Sequence, residues 1–336
     1  MRERGLTWPS ALLGVAMTAA IAAGCSSRSP IPEGAELIPS DATFAISVDL
    51  PAIQNSELYR KLQSDERFFG SNRLNFLKFA AATGLDPSKD IRRLLFMARA
   101  GDEGLEEMSG IVIGAFDGRK VHDFLADSGL PKRQVAGIDV FEFLVIEDRC
   151  RFCLAVLDSS TAAFGDGETL TKIAQVKGGT APGLAGEERA ARLLRRIARG
   201  SEAWGILRAD DLRETLSGIL KRVSADAGAL ARLGPIHEAS FSFDTAEPMR
   251  AVIEFTATSS EDAMLVADVL KGAESLGRLA IKEAKPEFAR LMSDMLIEAD
   301  GGIVRVSTSI PQADIETVTR LLGGDWLAQR LKSPSD

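Results

Sequence analysis

The 336-residue sequence is poor in the side chains that most often carry out chemistry or stack against ligands. It contains three Cys, two His, one Tyr and three Trp. Sugars and single-stranded nucleic acids are usually bound on Trp and Tyr rings, so a carbohydrate partner is disfavoured. The net charge is −8 and no basic run dominates, which excludes nucleic acid, because that affinity depends largely on phosphate neutralisation.

The scarcity of histidine leaves little material for a metal centre or a general base. His122 and His237 belong to no His-x₃-His or His-Glu-x-x-His pattern. The glycine-rich segment 178–186 lacks the Lys and Ser/Thr of a phosphate-binding loop, and no Gly-x-Ser-x-Gly elbow occurs. We therefore expect no catalytic residue, no metal and no cofactor, and we favour a protein that is not an enzyme.

The N-terminus carries the regions of an export signal in the required order. Arg2 and Arg4 precede an apolar core over residues 11–23, and small residues follow. The run Ile21–Cys25 resembles the lipobox of bacterial lipoproteins, with Ala22 where Leu is usual. The resemblance implies that residues 1–24 are a signal peptide and that Cys25 is acylated. A transmembrane anchor, which needs about 20 apolar residues, and a signal peptide without lipid are the alternatives.

A short tether follows the proposed lipidation site. Residues 25–36 are small and polar and contain Pro30 and Pro32, a composition typical of a linker. The expected partner is therefore the lipid bilayer, reached through acylated Cys25, together with an unidentified envelope protein. By the same resemblance, Ser26 after the Cys implies outer-membrane sorting in a cell with two membranes, facing the periplasm or the surface.

The remaining chain repeats one pattern of strands and helices. The openings at 45–50 and 204–209 align without gaps, and each leads into an amphipathic stretch. The order β-α-β-β-α-β predicts an α+β fold of two tandem ferredoxin-like repeats with antiparallel sheets and extra helices. We place the first repeat domain at 37–183, the second at 184–325 and a C-terminal tail at 326–336.

Hydrophobic spacing predicts where the individual elements lie. The predicted strands are 42–50, 94–98, 110–116, 135–146, 152–157, 162–165, 203–208, 239–243, 249–256 and 303–310. Helices are predicted after Pro51, around 121–125, over 187–199 and 210–220, from Ser259 to about 284, and from Pro286. Ser259 and Asp262 form a capping box for the longest of these helices.

Three short segments carry a second resemblance. Residues 35–42, 83–90 and 161–166 resemble motifs of an uncharacterised family of secreted bacterial proteins with duplicated α/β domains. The resemblance spans most of residues 35–325. It implies no activity and no functional residue.

Cys150 and Cys153 form a C-x-x-C pair, the one constellation in the sequence suited to redox chemistry. The pair follows a predicted hairpin turn and leads into a strand, whereas redox-active pairs typically lie at a helix N-terminus. Residues three apart on a regular strand point to opposite faces, so the two sulfurs can meet only if the backbone bends. A static disulfide, two unlinked thiols and a redox pair all remain open.

The helix predicted over 187–199 has one basic face. Four of its arginines are candidates for contact with anionic head groups or a partner: Arg192, Arg195, Arg196 and Arg199. The simpler interpretation is a solvated face, with Glu at the start of the helix and Arg at its end complementing the helix dipole.

Together these patterns favour a membrane-anchored envelope lipoprotein with a non-catalytic role in binding or structural interaction. The alternative is an envelope thiol-redox protein, or another enzyme, that uses Cys150 and Cys153.

Overall fold

The computed structural model describes residues 31–55, 81–101, 104–146, 149–197, 200–208, 236–282 and 286–314. Its strands form one twelve-stranded sheet in which every neighbouring pair is antiparallel. The strands are β1 Phe44–Asp49, β2 Ile91–Gly101, β3 Gly104–Gly114, β4 Lys132–Val135, β5 Ile138–Ile146, β6 Arg149–Asp158, β7 Thr161–Gly165, β8 Ala203–Arg208, β9 Ile236–Asp244, β10 Met249–Ala257, β11 Leu296–Asp300 and β12 Ile303–Ile310.

The sheet order is β11-β12-β10-β9-β8-β1-β2-β3-β7-β6-β5-β4. The first strand of each half lies at the centre, where β1 and β8 pair with Ala45 opposite Ile206. Each half then continues outward through consecutive antiparallel neighbours, β1-β2-β3 and β8-β9-β10. One sheet therefore crosses the predicted domain boundary between residues 183 and 184, and the division into two domains stays a prediction.

The α+β class and the antiparallel sheet agree with the sequence analysis, but the strand order does not follow the ferredoxin-like pattern. A ferredoxin-like unit is a split β-α-β arrangement, in which another strand separates the first two. Here β1 pairs directly with β2 along its whole length, from Phe44 opposite Ala98 to Asp49 opposite Arg93. Hydrophobic period identifies a strand but not its neighbour, which is why the predicted order does not match the described sheet.

Seven helices are described over their full bounds. They are α1 Leu50–Asn55, α2 Pro87–Asp90, α3 Gly118–Asp127, α4 Gly167–Lys177, α5 Glu188–Arg196, α6 Ser260–Ile281 and α7 Pro286–Ser293. Four of them begin at a side chain that accepts hydrogen bonds from backbone N–H groups of the first turn: Asp117 for α3, Asp166 for α4, Glu187 for α5 and Ser259 for α6. The predicted cap at Ser259 is thus present, whereas α4 and β11 were not predicted.

Helices pack on both faces of the sheet. On one face, α4 and α5 bury Leu170 and Leu194 against a core that includes Ile206 of β8. Leu207, the next residue along β8, packs instead with α6, through the cluster that contains Val266. Because adjacent strand residues point to opposite faces, α6 lies on the face away from α5.

The turn between β6 and β7 holds a carboxylate with a strongly lowered pKa. Burial by itself would raise the pKa of Asp158, but hydrogen bonds from Lys177, the Ser160 backbone and Thr161, with the charge of Lys177, lower it to about 2. Ser160 N donates to Asp158 Oδ1 at 2.8 Å, and Lys177 Nζ contacts Oδ2.

We expect this carboxylate to make stability depend on acid. A lowered pKa in the folded state stabilises the fold above the unfolded pKa of 3.8, and this contribution is lost as the pH falls toward 2. The contribution is about 1 kcal/mol after allowance for solvent screening. Urea unfolding of Asp158→Asn should show this deficit at pH 6 and almost none at pH 2. Asp127→Asn is the control for loss of an exposed carboxylate, and an equal deficit at both pH values would contradict the prediction.

Candidate functional site

The described chain begins close to the proposed lipidation site. Cys25 lies outside the described residues, which start at Ile31. Two residues later, Glu33 forms ion pairs with neighbouring arginines at the start of β2. Arg92 Nη1 donates to Glu33 Oε2 at 2.7 Å, and Arg93 Nε lies 3.7 Å from the same oxygen. The point at which the predicted tether leaves the fold is therefore held by charge.

Arg93 connects this exit to the centre of the sheet. Its side chain is only 11% exposed, and it donates to Ser47 Oγ and to Asp49 Oδ2, both at 3.0 Å. Both acceptors lie on β1, the strand that joins the two halves of the sheet. Charge-assisted bonds to a largely buried guanidinium fix the tether exit relative to the core.

The C-x-x-C segment lies on β6 at a bulge. Val145 pairs with Cys150 and Leu144 with Phe152, so Arg151 is an extra residue between the two cysteines. One inserted residue reverses the alternation that follows, and this brings positions three apart onto the same side of the strand. The structure therefore contains the backbone bend that a disulfide between neighbouring positions requires.

Cys153 is fully buried and disulfide-bonded. The Cys150 side chain lies outside those that the structure describes, so the pairing of the two residues stays a prediction. Thiol–disulfide exchange requires an accessible thiolate, usually stabilised by a helix N-terminus or a nearby cation. A buried sulfur on a strand does not favour the redox alternative.

Helix α5 has the predicted apolar stripe, but its arginines differ in their contacts. Leu193 and Leu194 are buried. Arg192 is exposed and donates to Glu188 Oε1 at 3.0 Å, one turn earlier in the helix. Arg196 instead reaches the sheet and donates to Thr256 Oγ1 at 3.0 Å. Arg195 is half-buried, and Arg199 lies outside the described residues. The structure does not present the three described arginines as one free basic face.

Sequence reasoning missed a buried polar layer on the sheet beneath α5. Glu238 on β9 and Glu254 on β10 are each 6% exposed. Arg189 of α5 contacts Glu238 Oε1, while Arg305 of β12 donates to Glu254 Oε1 through Nε at 2.8 Å and Nη2 at 2.6 Å. The alternation of polar and apolar residues around each glutamate was visible in the sequence. Which arginine each glutamate contacts depends on tertiary packing.

The two histidines occupy surface hydrogen-bond networks. His122 Nε2 lies 3.2 Å from Asp139 Oδ2, which also accepts from Lys132 Nζ at 2.7 Å. Hydrogen bonds from Lys132 and then His122 lower the pKa of Asp139. His237 Nε2 lies 2.9 Å from Thr258 Oγ1. Each histidine is therefore hydrogen-bonded to a polar side chain of its surroundings.

Two larger features are absent from the described part of the chain. No cluster of three or more His, Cys, Asp or Glu side chains is placed there to hold a metal ion. None of the helices in the described ranges combines the length and the apolar character needed to span a membrane.

Comparison with known proteins gives little further information. No family model and no curated protein match the chain. Two solved structures, crystal forms III and I of TP0453, are similar to it at 9% and 8% sequence identity, with TM-scores of 0.47 and 0.45. They cover 87% and 88% of this chain, and 98% of each TP0453 chain is covered.

Proposed function

We propose that this protein is a bacterial envelope lipoprotein, anchored by acyl chains on Cys25, that acts by binding rather than by catalysis. The observation that carries the proposal is the lipobox-like run Ile21–Cys25 placed directly before the fold. Only residues 26–30 separate Cys25 from Ile31, where the described chain begins. Six peptide steps span about 20 Å at most, so the anchored fold stays next to the bilayer.

The clamp at Glu33 supports this role. Each buried CH₂ of an acyl chain contributes about 0.8 kcal/mol, so two or three chains attach a protein stably. A flexible tether alone would let the fold rotate freely at the surface. The ion pairs of Glu33 with Arg92 and Arg93 restrict that freedom, because they fix the end of the tether on the first half of the sheet.

Exposed arginine on α5 supports a contact with an anionic head group or an acidic envelope partner. Arg192 is the strongest of these candidates, because its only contact among the described hydrogen bonds is with an exposed glutamate of the same helix. Such a pair contributes little, about 0.3–0.5 kcal/mol, and can be exchanged for an external anion. In a cell with two membranes we place the protein on the outer membrane, facing the periplasm or the surface.

The two halves of the sheet are also consistent with a duplicated unit. Each half begins with a central strand and continues through two consecutive antiparallel neighbours, followed by a helix, α3 or α6. Antiparallel pairing of β1 with β8 relates the halves by an approximate two-fold axis. We propose two related repeats that share one sheet.

Removal of the lipidation site tests the anchor. Expressed from the full chain, Cys25→Ala should lose membrane attachment, because the tether then carries no acyl chain. The measurement is the fraction that enters the detergent phase on phase partitioning, together with the intact mass of the N-terminus. Ser27→Ala, which keeps Cys25, is the matched control and should remain acylated. Unchanged detergent partitioning of Cys25→Ala would show that lipidation is wrong.

A further inference from the structure

Helix α6 carries large apolar side chains on the face turned away from the sheet as well as on its packed face. Ala263, Val266 and Ala267 are buried against the sheet. The outward face exposes four further apolar residues. They are Met264, Leu265, Leu276 and Leu279, with exposed fractions of 57%, 56%, 70% and 66%. The outward face also exposes the charged residues Glu261, Asp268 and Lys271. Four large apolar side chains exposed together on one helix nevertheless have the composition of a contact surface.

Two pairs of outward positions are symmetric along the helix. Met264 and Leu279 are equally distant from a point between Lys271 and Gly272, whereas Leu265 and Leu276 are not. Glu261 and Lys282, which carry charges of opposite sign, are also equally distant from that point. Both charged side chains are exposed. At these four positions the face therefore reads alike from either end, with the charge reversed.

We propose that the outward face of α6 packs against the same face of a second copy of this chain, with the two helices antiparallel. A two-fold contact is self-complementary, because residue i meets residue j and j meets i. Here Met264 meets Leu279 of the second copy. The reversed charges become an attraction, since Glu261 meets Lys282 of the second copy at both ends of the contact.

Gly272 makes the close approach at the two-fold axis. It is exposed, and a Cβ built at this position would meet nothing within 4 Å among the described residues. Packed helices lie about 8–10 Å apart, and each Cα lies about 2.3 Å from its own axis. Facing Gly272 residues would thus have Cα atoms about 3.4–5.4 Å apart, a range that overlaps the separation of about 4.4–6.8 Å that a disulfide bridges.

The area available makes this a weak association. A contact confined to one helix face lies at the low end of specific interfaces, below about 1,200 Å² in total. The dimer should therefore form in a concentration-dependent way. Attachment of both copies to one bilayer would favour it by raising the local concentration, but the contact itself does not require the anchor.

Cysteine crosslinking tests the contact in the full chain. Gly272→Cys, in isolated membranes under mild oxidation, should give a disulfide-linked dimer on a non-reducing gel. The control is Asp268→Cys on the same exposed face, because its two-fold mate lies about 10 Å away along the helix axis. The yield at position 272 should exceed that at 268 by at least about tenfold. The parent chain, with its three native cysteines, sets the background.

Second substitutions separate the proposed contact from other occupants of this face. In the Gly272→Cys chain, Leu276→Glu with Leu279→Glu should abolish the crosslink, and Glu261→Lys should weaken it until Lys282→Glu restores the opposite charges. Equal crosslinking at 268 and 272, or none at 272, would overturn the dimer.

If the face binds a bilayer instead, Leu276→Glu will release Cys25→Ala protein from vesicles without any crosslink at 272. Because the crosslink is also measured in the Cys25→Ala chain, failure of the dimer and failure of lipidation are distinguishable.

Discussion

Trp204→Ala is expected to lower the free energy of unfolding by about 3–5 kcal/mol, the range for truncation of a fully buried aromatic side chain. Trp204 is 2% exposed and belongs to the core beneath α4 and α5. It lies on β8 opposite Ser47 of β1, at the pairing that joins the two halves. The cavity would therefore open at the centre of the sheet, where the surrounding strands are paired on both sides and cannot readily collapse into it.

Trp204→Phe is the matched variant. The indole Nε1 is buried and has no hydrogen-bond partner among the described residues, so replacement by Phe removes an unsatisfied donor while keeping an aromatic ring in the core. We expect a smaller loss than for Ala. Urea unfolding followed by far-UV circular dichroism measures both variants without depending on tryptophan fluorescence. A loss below about 1 kcal/mol for Trp204→Ala would show that the indole does not fill this core.

Arg305→Ala should cost about 3 kcal/mol, the lower end of the range for breaking a buried ion pair, because Arg305 itself is 56% exposed. Its partner Glu254 has a side chain that is 7% exposed. The guanidinium supplies both hydrogen bonds to Oε1, while Oε2 has no partner in the described part of the chain. Removal of Arg305 leaves a buried carboxylate whose desolvation is no longer offset.

A compensating substitution distinguishes this cause from general damage to β12. In the Arg305→Ala chain, Glu254→Leu removes the unpaired charge and should recover most of the stability, since apolar replacement of a buried pair is often neutral. Arg250→Ala, at an exposed position on neighbouring β10, should change stability by no more than about 0.5 kcal/mol. Urea unfolding measures the stability of Arg305→Ala, of its combination with Glu254→Leu, and of Arg250→Ala. If Glu254→Leu lowers the stability of the Arg305→Ala chain further, loss of the ion pair is not the cause of the destabilisation by Arg305→Ala.

Local patterns in the sequence were sufficient to locate most elements. β8 and β12 have the predicted bounds, and Ser259 caps α6 as its capping box with Asp262 predicted. The signal for α4 was also present, because Asp166 precedes apolar residues at Leu170 and Ile173. These features depend on side chains within one helical turn or one strand, so a single sequence is enough to show them.

Burial was harder to predict than element type. The predicted strand 239–243 alternates apolar residues, Ala239 and Phe241, with polar ones, yet Glu238 and Ser240 are the more deeply buried residues. The polar side of this strand is covered, with Arg189 of α5 supplying a partner for Glu238. A pattern of period two separates the faces of a strand, but it does not show what covers each face.

The sequence by itself determined the acidic, aromatic-poor composition and the type and approximate bounds of most strands and helices, and it is the sole basis for the prediction of an export signal over residues 1–24. Only the tertiary structure decided that β1 and β8 join the halves into one sheet, that Arg151 forms a bulge between the two cysteines, and that Glu254 pairs with Arg305. The reason is physical. Periodicity and capping arise from residues close together in the chain, whereas strand order, register and ion pairing depend on residues brought together from distant positions.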